Sequence, residues 1–145
     1  MATVFTIGFT HTTAESFFGR LREAGVKRLI DVRLNNVSQL AGFAKKEDLA
    51  FFLRELSGID YRHELRLAPT AQILDAYRKR GIPAAEFEKR MRGLLQQRKV
   101  EKALSRKELD RAVLLCSEEK PEHCHRRVVA EYFAEKWGGL DICHL

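Results

Sequence analysis

Residues Ala112 to Cys116, AVLLC, form an unbroken apolar run between Arg111 and Ser117. Successive side chains of a strand point to opposite faces, so a strand that is apolar at every position must be covered on both sides. That is the condition of a central strand in a parallel sheet with helices above and below it. The remainder of the chain has to supply those helices and the neighbouring strands.

Val4 to Phe9 is rich in β-branched and aromatic residues and reads as a second buried strand. Thr12 followed by Glu15 predicts a capping box, and Phe17, Phe18, Leu21 and Ala24 fall on one helical face before Gly25. Val26 to Val32 then makes a strand, which completes a strand, helix, strand unit of the kind that pairs in parallel with a right-handed crossover. Leu49, Phe52, Leu53 and Leu56 predict a helix closed by Gly58. Ile59 to Leu67 alternates apolar and polar residues and predicts a third strand nearer the sheet edge. Helices follow over Thr70 to Arg80 and from Pro83 to about Leu104, with a short turn at Ser105 to Asp110. A last helix opens at Pro121 and Glu122 and ends at Gly138-Gly139, and Asp141 to Leu145 is a terminal strand. The expected fold is a three-layer, Rossmann-like or flavodoxin-like α/β sheet of about five mainly parallel strands with helices on both faces.

A chain of 145 residues with 45% apolar content fits one domain spanning 1–145. It contains no run of roughly eighteen apolar residues, and its first residues have no basic leader pattern, so a cytoplasmic location is expected. In a reducing compartment Cys116, Cys124 and Cys143 are expected to be core fillers, ligands or nucleophiles rather than a disulfide framework. The net charge of +6 favours anionic partners, either a small molecule or a nucleic acid, and excludes nothing by itself. Stretches such as Arg78 to Arg80 and Lys89 to Lys102 read as solvated helix faces rather than a dedicated nucleic-acid surface.

Open parallel sheets bind ligands outside the carboxyl ends of their strands. The strand ends expected here carry His11, then Asp31 and Arg33 with Asn35 and Asn36 following, then Cys116 and Glu118. At about 100° per residue, the first turn of the last helix sends Cys124, His125 and Arg126 inward, while His123 and Arg127 project into water. Each residue also has a structural reading: Asp31 pairing locally with Arg33, His11 in a turn, His125 as a hydrogen-bonded core histidine.

Three chemistries compete for this cluster. Zinc needs four ligands, and Cys-x7-Cys-His lacks the paired knuckle spacing, so no metal is expected. A Cys116 to Cys124 disulfide fits the strand-helix turn but calls for an oxidising role, and it ranks lowest. A phosphatase-type loop needs Cys-x5-Arg, whereas Glu122 lies six residues after Cys116. What remains is a polar centre at a helix N-terminus, where unpaired N–H groups favour an anion and lower a thiol pKa. Cys116 or Cys124 would be the nucleophile, Asp31, Glu118 or His125 the proton carrier, and Arg33, Arg126, His11 and Asn35 the substrate contacts. No cofactor is called for. A non-catalytic module docking nucleic acid or a partner, with the cluster as a buried network, stays open beside the enzyme.

Read in order, TIGFTHTTAESF, LIDVRLNNVS, FAKKEDLAFFLRELSGIDYRHELRL, LLCSEEKPEHCHRRVVAEYF and ICHL resemble the domain of unknown function 488 family over essentially the whole chain. The resemblance matches Asp31 and Arg33 to a DVR segment, Cys116 and Glu118 to C-x-E, Cys124, His125 and Arg126 to CHR, and His144 to a terminal histidine. It implies a three-layer α/β fold and carries no assigned reaction. Gly8-Phe9-Thr10 replaces the usual glycine, histidine and serine, RLAPT the usual leucine-glycine-glycine, and Asn35-Asn36 a usual proline.

Overall fold

The computed structural model describes residues 2–10, 12–35, 44, 46–116 and 125–145. Five strands, β1 (Ala2–Gly8), β2 (Arg28–Asp31), β3 (Asp60–His63), β4 (Ala112–Cys116) and β5 (Leu140–His144), form one sheet in the order β3-β2-β4-β1-β5. Every pairing is parallel. The apolar run of β4 lies between two neighbours and is buried at each position, as a strand without a polar face requires. The third strand, β3, is at the sheet edge as expected but stops at His63, because Leu65–Leu67 leave the alternation for a 3-10 turn capped by the Glu64 side chain.

Helices α1 (Ala14–Ala24), α2 (Lys46–Ser57), α3 (Ala71–Arg78), α4 (Ala84–Arg98), α5 (Val100–Ala103), α6 (Arg106–Leu109) and α7 (His125–Trp137) connect and cover the strands. Two cores result, and the period-2 alternation of the strands sorts residues between them. Val4, Ile30, Val32, Leu114 and Cys116 pack on one face with Met91 and Leu95 of α4 and Val129 and Phe133 of α7. Ile7, Leu29, Val113 and Leu115 pack on the other with Phe17, Phe18 and Leu21 of α1 and Leu49 and Leu53 of α2. Each such side chain contributes about 1.5–3 kcal/mol when fully buried, so these two layers hold the sheet flat enough to align its carboxyl edge.

Three further local expectations are corrected. The N-cap of α1 is Thr13, whose side chain accepts from Ser16 N–H; the Thr12 hydroxyl instead bonds the Thr10 carbonyl, so the helix starts one residue later. The helix expected from Pro83 to Leu104 ends at Arg98, because Lys99 adopts a left-handed conformation (φ 53°) and the chain restarts as α5. Leu56 is 54% exposed instead of core-facing. The expected opening of the last helix at Pro121 and Glu122 lies outside the described residues. Among the described residues no helix is long and apolar enough to cross a membrane.

Candidate functional site

Because all five strands run the same way, Gly8, Asp31, His63, Cys116 and His144 end on one edge. Asp31 and Cys116 sit on adjacent strands there, but Asp31 is registered with Leu115, so the sheet separates their side chains. Ile30, Val32 and Cys116 belong to the α4/α7 face, which sends Asp31 to the α1/α2 face. The edge therefore carries two clusters back to back.

On the α1/α2 face Asp31 is fully buried and Arg33 nearly so. Arg33 folds back two residues and donates from Nε to Asp31 Oδ1 at 2.8 Å and from Nη2 to Oδ2 at 2.8 Å. Its backbone N–H adds a third bond to Oδ1 at 3.1 Å, and Tyr61 Oη donates to Oδ2 at 2.5 Å. A carboxylate offers about four acceptor sites, so Asp31 is saturated by these donors. Arg33 Nη2 also donates to the Ala44 carbonyl at 2.6 Å, and its guanidinium stands 5.2 Å from the Phe9 ring centre. His63 Nε2 donates to the Arg33 carbonyl at 2.8 Å. The local Asp31–Arg33 pairing is thus the geometry the structure contains, fixed from β3 by Tyr61 and His63.

On the α7 face Arg126 is 0% exposed and its Nη1 lies 3.9 Å from Cys116 Sγ. His125 Nε2 is 2.6 Å from the Val32 carbonyl. A carbonyl only accepts, so Nε2 carries the proton and Nδ1 is the unprotonated nitrogen of the neutral ring. Burial pushes the His125 pKa down to about 4, with the charges of Arg78 and Arg126 working in the same direction and Asp31 and the Val32 bond against it. The ring is neutral at pH 7. One strand further out, Thr6 Oγ1 and His144 Nδ1 lie 2.5 Å apart.

Cys116 is disulfide-bonded, and Cys143 is free and exposed. A disulfide at Cys116 is thus present, against the expectation that ranks it last on the ground of a reducing compartment. In this state Cys116 has no thiol to attack with. Asn35 is exposed beyond the Asp31–Arg33 pair. His11, Glu118 and Cys124 lie outside the described residues, so the structure brings together Asp31 with Arg33, Cys116 with Arg126, and His125 with the end of β2. His125 and Arg126 are both buried on α7, as the helical spacing expects, whereas Arg127 is only partly exposed and pairs with Glu88 at 2.8 Å and Glu131 at 2.6 Å.

Two participants escape the sequence reading. Arg78, placed above on a solvated face, ends α3 close enough to His125 for its charge to oppose protonation there. Tyr61 closes the Asp31 carboxylate from the neighbouring strand, a contact set by the Leu29 to Tyr61 register and invisible in linear spacing. Glu64, just past β3, is committed elsewhere: the Arg66 guanidinium holds its carboxyl below the usual carboxylate range against the opposing effect of burial, and Arg62 adds a bond at 2.9 Å.

No curated protein and no solved structure matches the chain significantly. The family model described as domain of unknown function DUF488 matches residues 13–133, a span that includes both clusters from Asp31 to Arg126 and stops short of His144. A match of that extent establishes that the chain belongs to the DUF488 family.

Proposed function

We propose that the chain is an enzyme that binds an anionic, phosphate-bearing substrate, a nucleotide or a nucleic-acid segment, at the carboxyl edge of its sheet. The observation that carries the reading is the buried Arg126 guanidinium against the end of β4, flanked by neutral His125 with Arg78 nearby. Guanidinium groups match phosphate geometry with paired donors, and a low-dielectric setting strengthens each such bond. In this scheme Arg126 and Arg78 hold the anion and His125 Nδ1 accepts a proton. Cys116 acts as nucleophile only after an external dithiol reductant has exchanged with its disulfide, the reductant being oxidised to its own disulfide and Cys116 released as a thiol. Arg33 is occupied by Asp31, so the pair serves as a positioning element that fixes the end of β2 and the Val32 carbonyl to which His125 is anchored. Glu118 serves as the acid and Cys124, like Cys116, as a thiol only under reducing conditions, with His11 and Asn35 as substrate contacts.

Titration with inorganic pyrophosphate, followed by calorimetry with and without reductant, tests this. Arg78→Ala, which removes an exposed side chain, is expected to weaken binding about tenfold, and Arg126→Lys to weaken it by a similar factor by replacing a fork with a point charge. Absence of binding, or affinities unchanged in both folded variants, would sink the proposal.

A second reading is favoured by the closed Asp31–Arg33 pair and the Cys116 disulfide, both of which fit a structural network. It makes the chain a non-catalytic module whose basic surface docks nucleic acid. Salt-dependent association with DNA or RNA that is indifferent to Arg126→Lys would select it.

A further inference from the structure

Among the described residues, the outer side of the α1/α2 layer is left uncovered. Ala14, Glu15, Phe18 and Arg22 of α1 and Phe52 and Leu56 of α2 line an open groove of about 250 Å³. A chain of edge-on rings, Phe18 to Phe52 at 6.1 Å and Phe52 to Phe51 at 5.7 Å, runs from its floor to the surface. There Phe51 is 51% exposed and Leu56 54% exposed. A contiguous apolar surface of this kind marks a contact site, whereas scattered apolar side chains do not.

The charges around the groove identify what covers it. Glu15 and Arg22 are both exposed, and among the described residues neither has an ion-pair partner. They stand seven residues apart on one helix face, roughly 10 Å along the axis, too far to meet each other. Both are equally distant in sequence from the point between Phe18 and Gly19. A two-fold axis through that point lays a second α1 antiparallel to the first and brings each Glu15 opposite Arg22 of the partner subunit, twice over. Gly19 fits the same arrangement. A Cβ there would meet nothing within 4 Å, so packing inside the chain does not call for glycine, and a mid-helix glycine costs about 0.5–1 kcal/mol relative to alanine. In the two-fold arrangement the missing side chain would let another backbone come close.

We infer that the α1/α2 face is an isologous dimer interface, in which a second copy of this chain crosses α1 at Gly19 and exchanges Glu15–Arg22 ion pairs while Phe51 and Leu56 cover the facing groove. The inference does not depend on the reaction proposed above.

Sedimentation equilibrium of the full chain over a wide concentration range tests it, with circular dichroism to confirm that each variant is folded. The parent is expected to form a reversible dimer. Glu15→Arg alone and Arg22→Glu alone place like charges opposite each other and are expected to raise the dissociation constant about tenfold or more. An equimolar mixture of the two single variants pairs opposite charges at both contacts, and is expected to associate about as tightly as the parent. A parent that stays monomeric at every concentration, a dimer that neither single variant weakens, or single variants whose mixture fails to recover association would each overturn the inference.

Discussion

The two helical layers meet water differently. On the α4/α7 layer the outward arginines are paired with glutamates: Arg127 bonds Glu88 and Glu131, Arg92 reaches Glu88 and Glu135, and Arg90 pairs with Glu86. The apolar residues of α7, including Val128, Val129, Tyr132 and Phe133, are all turned inward. The α1/α2 layer has apolar groups to spare. Leu49 and Leu53 fill the core under α2, yet Phe51 and Leu56 on the same helix face outward, and among the described residues Glu15 and Arg22 across the groove have no ion-pair mates. One sheet face can bury only one stripe of a helix, so the surplus stripe of α2 is the part of the sequence that folding alone leaves unexplained.

The carboxyl edge shows the same contrast in its polar groups, and the largest effects are expected there. Asp31→Ala strands the Arg33 guanidinium in the core without its bidentate partner. Breaking a buried pair from one side costs about 3–5 kcal/mol, to be read from urea unfolding. On the opposite face the corresponding weakness is set by pH. Burial lowers the His125 pKa from 6.5 to about 4, so between those values the unfolded chain binds a proton that the folded chain refuses. Stability is fully present above pH 6.5 and falls as pH drops toward 4, by roughly 3 kcal/mol in all. Unfolding midpoints taken from pH 7 to pH 4.5 should show this slope, and His125→Gln should flatten it. Glu64, Glu88 and Glu101 have lowered carboxyl pKa values, each set first by a side-chain hydrogen bond, and they add their own losses only below about pH 4.5.

How much of this was legible beforehand depended on whether the information was local. AVLLC announced a central strand because its requirement for cover on both faces is written in five adjacent residues. Alternation placed β3 at an edge, and 3.6-residue spacing turned His125 and Arg126 inward. Local rules failed where two neighbours compete: Thr12 and Thr13 are both capable caps, and the left-handed Lys99 that splits α4 from α5 carries no glycine to signal it. At the site, linear reading delivered Asp31 and Cys116 to one edge and could not see that a one-residue register offset puts them on opposite faces. Arg78 and Tyr61 enter through packing of α3 and pairing of β2 with β3, which no spacing within their own segments encodes.

Tyr61 offers a gentler probe of the Asp31 knot. Tyr61→Phe removes one hydroxyl donor from a carboxylate that keeps three bonds from Arg33, so the loss should be about 1.5 kcal/mol, the lower end for a hydrogen bond to a charged group. A loss as large as that of Asp31→Ala would mean that β3, and not the local pair, holds the edge together.

The smallest effect separates the two layers most cleanly. Glu88→Ala on α4 deletes a carboxylate shared by Arg92 and Arg127, but both arginines retain other partners in Glu135 and Glu131 and the site is partly exposed. Screening and side-chain entropy limit such pairs to about 0–1 kcal/mol, so its unfolding free energy should move little and its oligomeric state not at all. Phe51→Ser on α2 should be nearly as mild for the isolated fold, because half of the ring is already in water and its ring contact is to the partly buried Phe52 at the margin of the core. Its effect should appear only in the dissociation constant of the dimer, which deletion of a central aromatic anchor raises about tenfold or more. If Phe51→Ser instead lowers the unfolding free energy of the monomer by several kcal/mol and leaves association untouched, the ring is a core residue after all, and the α1/α2 surface is as complete as its counterpart across the sheet.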